Sequence, residues 1–256
     1  MARILVELTN RCNLQCAHCY DERHAASGYV SSDILDSILA EGRACGIDHV
    51  VFTGGEPTLY PRFKALLTRV AESGLCFSFV TNGSTFPGVV ETIKEHRDSF
   101  CGVTFSLDGA TPETHDDLRG EGSFRHVMRA VTLCVFSELP FTLNMVVTEK
   151  NRHQIHEMVK LAERLGSSGL RFGHLTTTSK IGDKGLDLST QARREVEAQI
   201  WRLRESARYP VDMAPGYYSE EFFFPCGPLE LEEYNVDYHG NLTLCCQLSG
   251  LVGMNS

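Results

Sequence analysis

"RILVELTNRCNLQCAHCY", Arg3 to Tyr20, sets a short apolar run against a loop crowded with thiols. Its first six residues have the continuous hydrophobicity of a buried strand. Polar Thr9 and Asn10 end the run, and Cys12, Cys16 and Cys19 follow within eight residues. In α/β proteins the carboxyl ends of the strands carry the chemistry, so a strand that opens into a reactive loop marks one end of such a fold as the working end.

Outward from this stretch the same junction recurs. Residues 49–55 (HVVFTGG), 76–83 (CFSFVTNG), 102–109 (GVTFSLDG), 141–148 (FTLNMVVT) and 169–175 (GLRFGHL) read as five further strands. Helical periodicity lies between them. It runs through Ile34, Leu35, Ile38 and Leu39, then Phe63, Leu66, Leu67 and Val70, and later Val127, Met128, Val131 and Val135. Six strands alternating with helices predict parallel pairing through right-handed crossovers, in an open sheet or a barrel. The strand ends are polar or glycine-rich: Thr53-Gly54-Gly55-Glu56, Thr81-Asn82-Gly83, Ser106-Leu107-Asp108-Gly109 and Asn144. They are expected to gather on one rim with the cysteine loop. After about residue 207 the rhythm stops, and residues 234–246 alternate like a β-hairpin around His239-Gly240-Asn241, as a unit apart from the barrel.

Composition narrows the function. A formal charge of −9 disfavours nucleic acid, which needs basic patches. No secretory signal opens the chain, and no stretch approaches the roughly 18 apolar residues of a membrane span. A cytoplasmic, reducing location follows as the expectation, and there ten cysteines point to metal binding or catalysis rather than disulfides. Three thiolates on a short loop can wrap one face of a four-iron cubane and leave the fourth iron open. A zinc site completed by His18 or His24 is the alternative. Cys45, Cys76, Cys101 and Cys134 sit in apolar helix or strand patterns and read as small core residues.

Cys12-Asn-Leu-Gln-Cys16-Ala-His-Cys19 resembles the CxxxCxxC motif of the radical S-adenosylmethionine (SAM) enzymes. Gly54-Gly55-Glu56-Pro57, closing the second strand, resembles that family's GGE motif, and the likeness extends over roughly residues 3 to 207. It implies a partial (β/α)6 TIM-like barrel over residues 1–207 and a 4Fe-4S cluster on Cys12, Cys16 and Cys19, with SAM on the open iron. Gly54, Gly55, Glu56 and Pro57 would meet the SAM amine, and Ser106 and Asn144 its carboxylate or ribose. Asp108 would join them or cap a turn. His18 stands where the family often places an aromatic against adenine, an imidazole in its stead. Thr81 and Asn82 shape the rim. The resemblance implies reductive cleavage of SAM to a 5′-deoxyadenosyl radical, with the electron drawn from a donor such as flavodoxin or ferredoxin.

The tail extends the resemblance. Cys226, then thirteen residues, then Gly240-Asn-Leu-Thr-Leu-Cys245 resembles the opening of a SPASM or Twitch domain, and residues 115–124 (HDDLRGEGSF) resemble SPASM-type enzymes. Residues 208–256 would begin an auxiliary 4Fe-4S domain on Cys226 and Cys245, with Cys246 the alternative ligand. Three readings stay open: a chain cut mid-domain, an incomplete ligand set, or no auxiliary cluster. The implied substrate is a peptide or protein side chain, with a leader-peptide recognition protein supplied separately. The alternative is a small molecule such as a tetrapyrrole or cofactor precursor, and the third class is a non-catalytic redox or scaffold protein.

Overall fold

Among the described residues, eight parallel strands and one antiparallel strand share a single open sheet. The computed structural model describes residues 2–19, 28–176, 184–214 and 232–244. The six expected strands are β1 (Ala2–Thr9), β2 (Ile47–Gly54), β3 (Cys76–Thr81), β4 (Phe100–Ser106), β5 (Phe141–Val147) and β6 (Leu170–His174). They lie side by side in chain order, each parallel to the next. A short β7 (Val211–Met213) adds to the β6 edge. The hairpin of β8 (Glu233–Val236) and β9 (Leu242–Thr243) forms around the expected turn. It is continuous with the sheet, since β8 pairs in parallel with β1. The order β7-β6-β5-β4-β3-β2-β1-β8-β9 leaves the sheet unclosed, as in a partial barrel.

The crossovers carry α1 (Ser32–Glu41), α2 (Phe63–Glu72), α3 (Val90–Glu95), α4 (Pro112–Arg119), α5 (Ser123–Phe136) and α6 (Ile155–Leu165), and α7 (Thr190–Ser206) precedes β7. Side-chain oxygens start several of them. Ser31 accepts from Ile34 N at α1, Thr111 from Thr114 N at α4 and Ser189 from Ala192 N at α7. Helix α4 was not legible in the periodicity because it is polar, with Leu118 its one buried aliphatic residue.

Alternation along each strand separates two faces. One packs on the helices: Phe77 and Phe79 of β3, Val103 and Phe105 of β4, and Phe141, Leu143 and Met145 of β5 join Phe63, Leu67, Val127 and Met158 in one core. Phe79 meets Phe63 edge-on at 5.3 Å and also lies against Phe86 and Phe100. The opposite face is polar and part-exposed. There His49 Nε2 lies 2.8 Å from Ser78 Oγ, and Thr104 and Thr142 hydroxyls lie 2.9 Å apart. No helix among the described residues is long and apolar enough to cross a membrane.

The four cysteines read as core residues divide. Cys134 is buried on α5, but Cys45 and Cys101 are exposed and Cys76 is part-exposed. Cys45 falls in the turn after α1. Cys101 is skipped where the β3–β4 register shifts, from Phe77↔Phe100 to Ser78↔Gly102, so it stands out of the ladder. Phe79→Ala, which empties the centre of the aromatic cluster, is expected to cost about 3–5 kcal/mol in urea unfolding without abolishing the folded state.

Candidate functional site

The loop after β1 is stitched onto the end of β2. Gly55 N donates to Thr9 O at 2.7 Å and Glu56 N to Arg11 O at 2.8 Å. A Cβ on Gly54, whose φ is +131°, would sit 2.2 Å from Thr9 O, and one on Gly55 would sit 2.3 Å from Arg11 O. Backbone approaches that close admit only glycine, so the glycine pair first of all lets the cysteine loop lie against β2. The far end of the loop is tied as well, by Thr9 Oγ1 donating to Gly28 O and Gly28 N donating to Asn10 Oδ1.

Glu56 has no exposed surface. Its Oε1 accepts from Thr81 Oγ1 at 2.8 Å and from both the amide and the hydroxyl of Thr58, and Oε2 accepts from Asn82 N at 2.8 Å. Burial pushes its pKa up, against the pull of these donors. The carboxylate thus caps the short 3₁₀ turn Pro57–Leu59, which begins with the buried Pro57, and joins it to the end of β3. Asn82 passes the connection on. Its Nδ2 donates to Asn13 Oδ1 at 2.9 Å and reaches Cys12 Sγ at 3.9 Å.

Asp108, just past β4, holds the other half of the loop and is likewise fully buried. Its Oδ1 accepts from Val146 N at 2.8 Å, and its Oδ2 accepts from Arg119 Nε and lies 3.2 Å from His18 Nε2. Asp108 is therefore more than a turn cap. Burial alone would raise its pKa, but Arg119 and His18 outweigh it and hold the carboxylate below the ordinary range. Burial lowers the His18 pKa to about 4, so the ring is neutral at pH 7. With Nε2 turned to Asp108, its buried Nδ1 has no hydrogen-bond partner among the described residues. Ala17 N donates to Leu118 O at 2.7 Å, and Arg119 Nη1 comes within 4.0 Å of Cys16 Sγ.

Cys12 and Cys19 are exposed and Cys16 part-exposed, and burial pushes the Cys16 pKa up to about 11. Among the described residues no three His, Cys, Asp or Glu side chains close on one point that a single metal ion could occupy. Ser106 and Asn144 are register partners on the polar face of β4 and β5. Cys226, Cys245 and Cys246 lie outside the described residues. Arg119, His115 and Asn151 were not singled out from sequence. His115 Nδ1 accepts from Asp108 N at 3.0 Å, and Asn151 Nδ2 donates to Asp108 O at 2.9 Å and to Val146 O at 2.8 Å. The stretch 115–124 carried the signal for the first two, but without the helix that aims them.

Gly55→Ala is expected to cost about 3 kcal/mol in urea unfolding. Maleimide labelling of Cys12, Cys16 and Cys19 should quicken, because the loop must lift off β2. Burial holds the His115 pKa at about 4, against 6.5 for a free ring. The folded ring stays neutral while the unfolded ring takes up a proton below pH 6.5. Stability through His115 is therefore full above that pH and is lost as pH falls toward 4. Between pH 7 and pH 5 the loss is about 2 kcal/mol. His115→Asn keeps an acceptor for Asp108 N and should remove that slope in denaturant titrations at the two pH values.

Comparison with known proteins adds relatives. Mycofactocin maturase MftC of Mycobacterium tuberculosis (strain CDC 1551 / Oshkosh) is 32% identical over 204 residues, 79% of this chain and 52% of that protein. AdoMet-dependent heme synthase of Methanosarcina barkeri is 26% identical over 218 residues, 83% of this chain and 62% of that protein. The chain thus spans less than two thirds of either. The crystal structure of Streptococcus suis SuiB bound to precursor peptide SuiA superposes with a TM-score of 0.79 at 15% identity, over 99% of this chain and 61% of that one, a likeness of fold. The family model of the radical SAM superfamily matches residues 6–162, well over half of the sequence, and the chain belongs to that superfamily.

Proposed function

We propose that the protein is a radical SAM maturase that abstracts hydrogen from a peptide or protein side chain. The chemistry rests on the three-cysteine loop, held by Gly55 and Glu56 on one side and by Leu118 and Asp108 on the other. The substrate class rests on the 32% identity to a maturase and on a fold shared with a peptide-bound enzyme.

Superfamily membership implies a 4Fe-4S cluster and SAM, and the residues present fit both. Cys12, Cys16 and Cys19 would supply three soft ligands to the cluster, with SAM as the ligand from outside the chain. Side-chain N–H groups of Asn82 and Arg119 already reach the Cys12 and Cys16 sulfurs, where they would offset thiolate charge. When bound, the cluster supplies one electron that breaks the C5′–S bond of SAM, giving methionine and a 5′-deoxyadenosyl radical.

Binding and orienting SAM and substrate fall to the chain. Gly54 and Gly55 carbonyls and the remaining lone pair of Glu56 Oε2 would accept from the SAM ammonium, with Pro57 fixing the turn beneath. Ser106 and Asn144, adjacent across β4 and β5, would bind its carboxylate or ribose. His18, anchored by Asp108, would lie against adenine. The polar face of the sheet would receive the substrate and keep other hydrogen donors from the radical. An external one-electron donor such as flavodoxin or ferredoxin and a separate leader-peptide recognition protein complete the scheme, and the location is the cytoplasm. Residues 208–256 would open a SPASM- or Twitch-type domain, with Cys226 and Cys245, or Cys246, directed to an auxiliary cluster.

The second reading keeps the radical chemistry and takes a tetrapyrrole or cofactor precursor, favoured by the heme synthase relative. Anaerobic reconstitution with iron and sulfide, followed by SAM and dithionite, is expected to release 5′-deoxyadenosine, and Cys16→Ala should abolish the release. A peptide that raises this release and changes mass supports the maturase. A rise with a tetrapyrrole alone selects the second reading, and no release from a protein with a full cluster refutes both.

A further inference from the structure

The Asp108–Arg119 pair does more than fasten the cysteine loop. The side chain of Arg119 is 11% exposed and that of Asp108 not at all. The guanidinium is clasped by its Nε to Asp108 Oδ2, while its Nη1 extends to Cys16 Sγ at 4.0 Å. Its place is fixed twice more. The preceding carbonyl, Leu118 O, accepts from Ala17 N, the residue after Cys16. Asp108 is itself held by Val146 N and by His18. The ion pair is thus oriented, with its carboxylate on the Nε side and its cationic nitrogen toward the sulfur.

We propose that Arg119 is a positioning residue that sets the reduction potential of the cluster held by the loop, its charge at Cys16 favouring the reduced state. This rests on the radical SAM reading above. Reduction adds one electron, hence one negative charge, to the cluster. A fixed cation beside a ligating sulfur stabilises that added charge, and an N–H directed at the sulfur acts in the same sense. The interaction is weakly screened because the pair lies out of water. Lys184, whose Nζ donates to Ala17 O at 2.9 Å, is a second cation bonded to this part of the loop, but it is exposed and its charge is screened.

The two partners act with opposite signs, and this separates an electrostatic role from a merely structural one. Arg119→Gln removes the cation and makes the potential more negative. Asp108→Asn leaves the cation unneutralised and makes it more positive. The experiment is an anaerobic spectroelectrochemical titration of the reconstituted protein without SAM, with iron content and circular dichroism recorded for each variant. At a fixed potential the reduced-to-oxidised ratio of Arg119→Gln is expected to fall about tenfold, a 59 mV shift for a one-electron couple. Asp108→Asn should move the other way, and Lys184→Ala should stay within twofold of wild type.

Unchanged potentials in both variants, or shifts of the same sign, overturn the proposal. So does loss of the cluster from a folded Arg119→Gln, which would assign the residue to assembly. Should Arg119→Gln fail to fold, the double variant Arg119→Gln/Asp108→Asn, which removes both buried charges together, takes its place: a potential more negative than that of Asp108→Asn alone supports the proposal, and an equal one overturns it. A wild-type protein that binds no reducible cluster refutes the radical SAM reading itself, a result distinct from all of these.

Discussion

Two carboxylates without exposed surface, Glu56 and Asp108, hold the site together. An ionised carboxylate inside a protein is costly unless hydrogen-bond donors or a cation meet its oxygens. Each meets that demand by gathering donors from several segments. Glu56 collects Thr58, Thr81 and Asn82, and Asp108 collects His18, Arg119 and Val146. Taking away one partner of such a buried pair typically costs about 3–5 kcal/mol, because the other is stranded. The same arithmetic makes the loop geometry well determined, since few arrangements satisfy both acids at once.

The clamps divide the loop between them. The β3 side governs the first cysteine through Asn82 and Asn13, and the α4 side governs the second through Leu118 and Arg119. Between Cys16 and Cys19 the chain makes a tight turn, with Cys19 N donating to Cys16 O at 3.2 Å. A surface loop with three exposed or part-exposed thiols would otherwise sample many conformations. Here its backbone is bonded to β2 and to the end of α4, so much of the entropy of ordering the three thiols is already removed by folding.

Much of this was legible in the sequence, for physical reasons. The six strands were visible because buried parallel strands are short apolar runs, and their polar ends predicted the rim. The glycine pair was recognised, although its nearest duty is to admit the loop backbone as much as any ligand. What escaped were groups whose meaning depends on three-dimensional partners. Arg119 reads as an ordinary charge at the end of a polar helix until Asp108 is placed beside it. Cys101 looked like core because its neighbours are apolar, and a shift of strand register, invisible to periodicity, turned it outward. Strand β7 is three residues long, too short for any pattern to announce.

The pairing of β8 with β1 bears on how the molecule is made. Arg3 is bonded to Glu232 and Glu233, across a separation of about 230 residues. During synthesis the chain emerges from its amino end, and neighbouring strands can pair as they appear. One side of β1, however, must wait until almost all of the described chain has left the ribosome. Contacts of such long sequence separation form slowly. The strand that launches the cysteine loop thus precedes every other described strand in synthesis and is among the last of them to acquire both neighbours. In the interval its open edge and the nearby thiols are exposed to chaperones, to oxidants and to other chains.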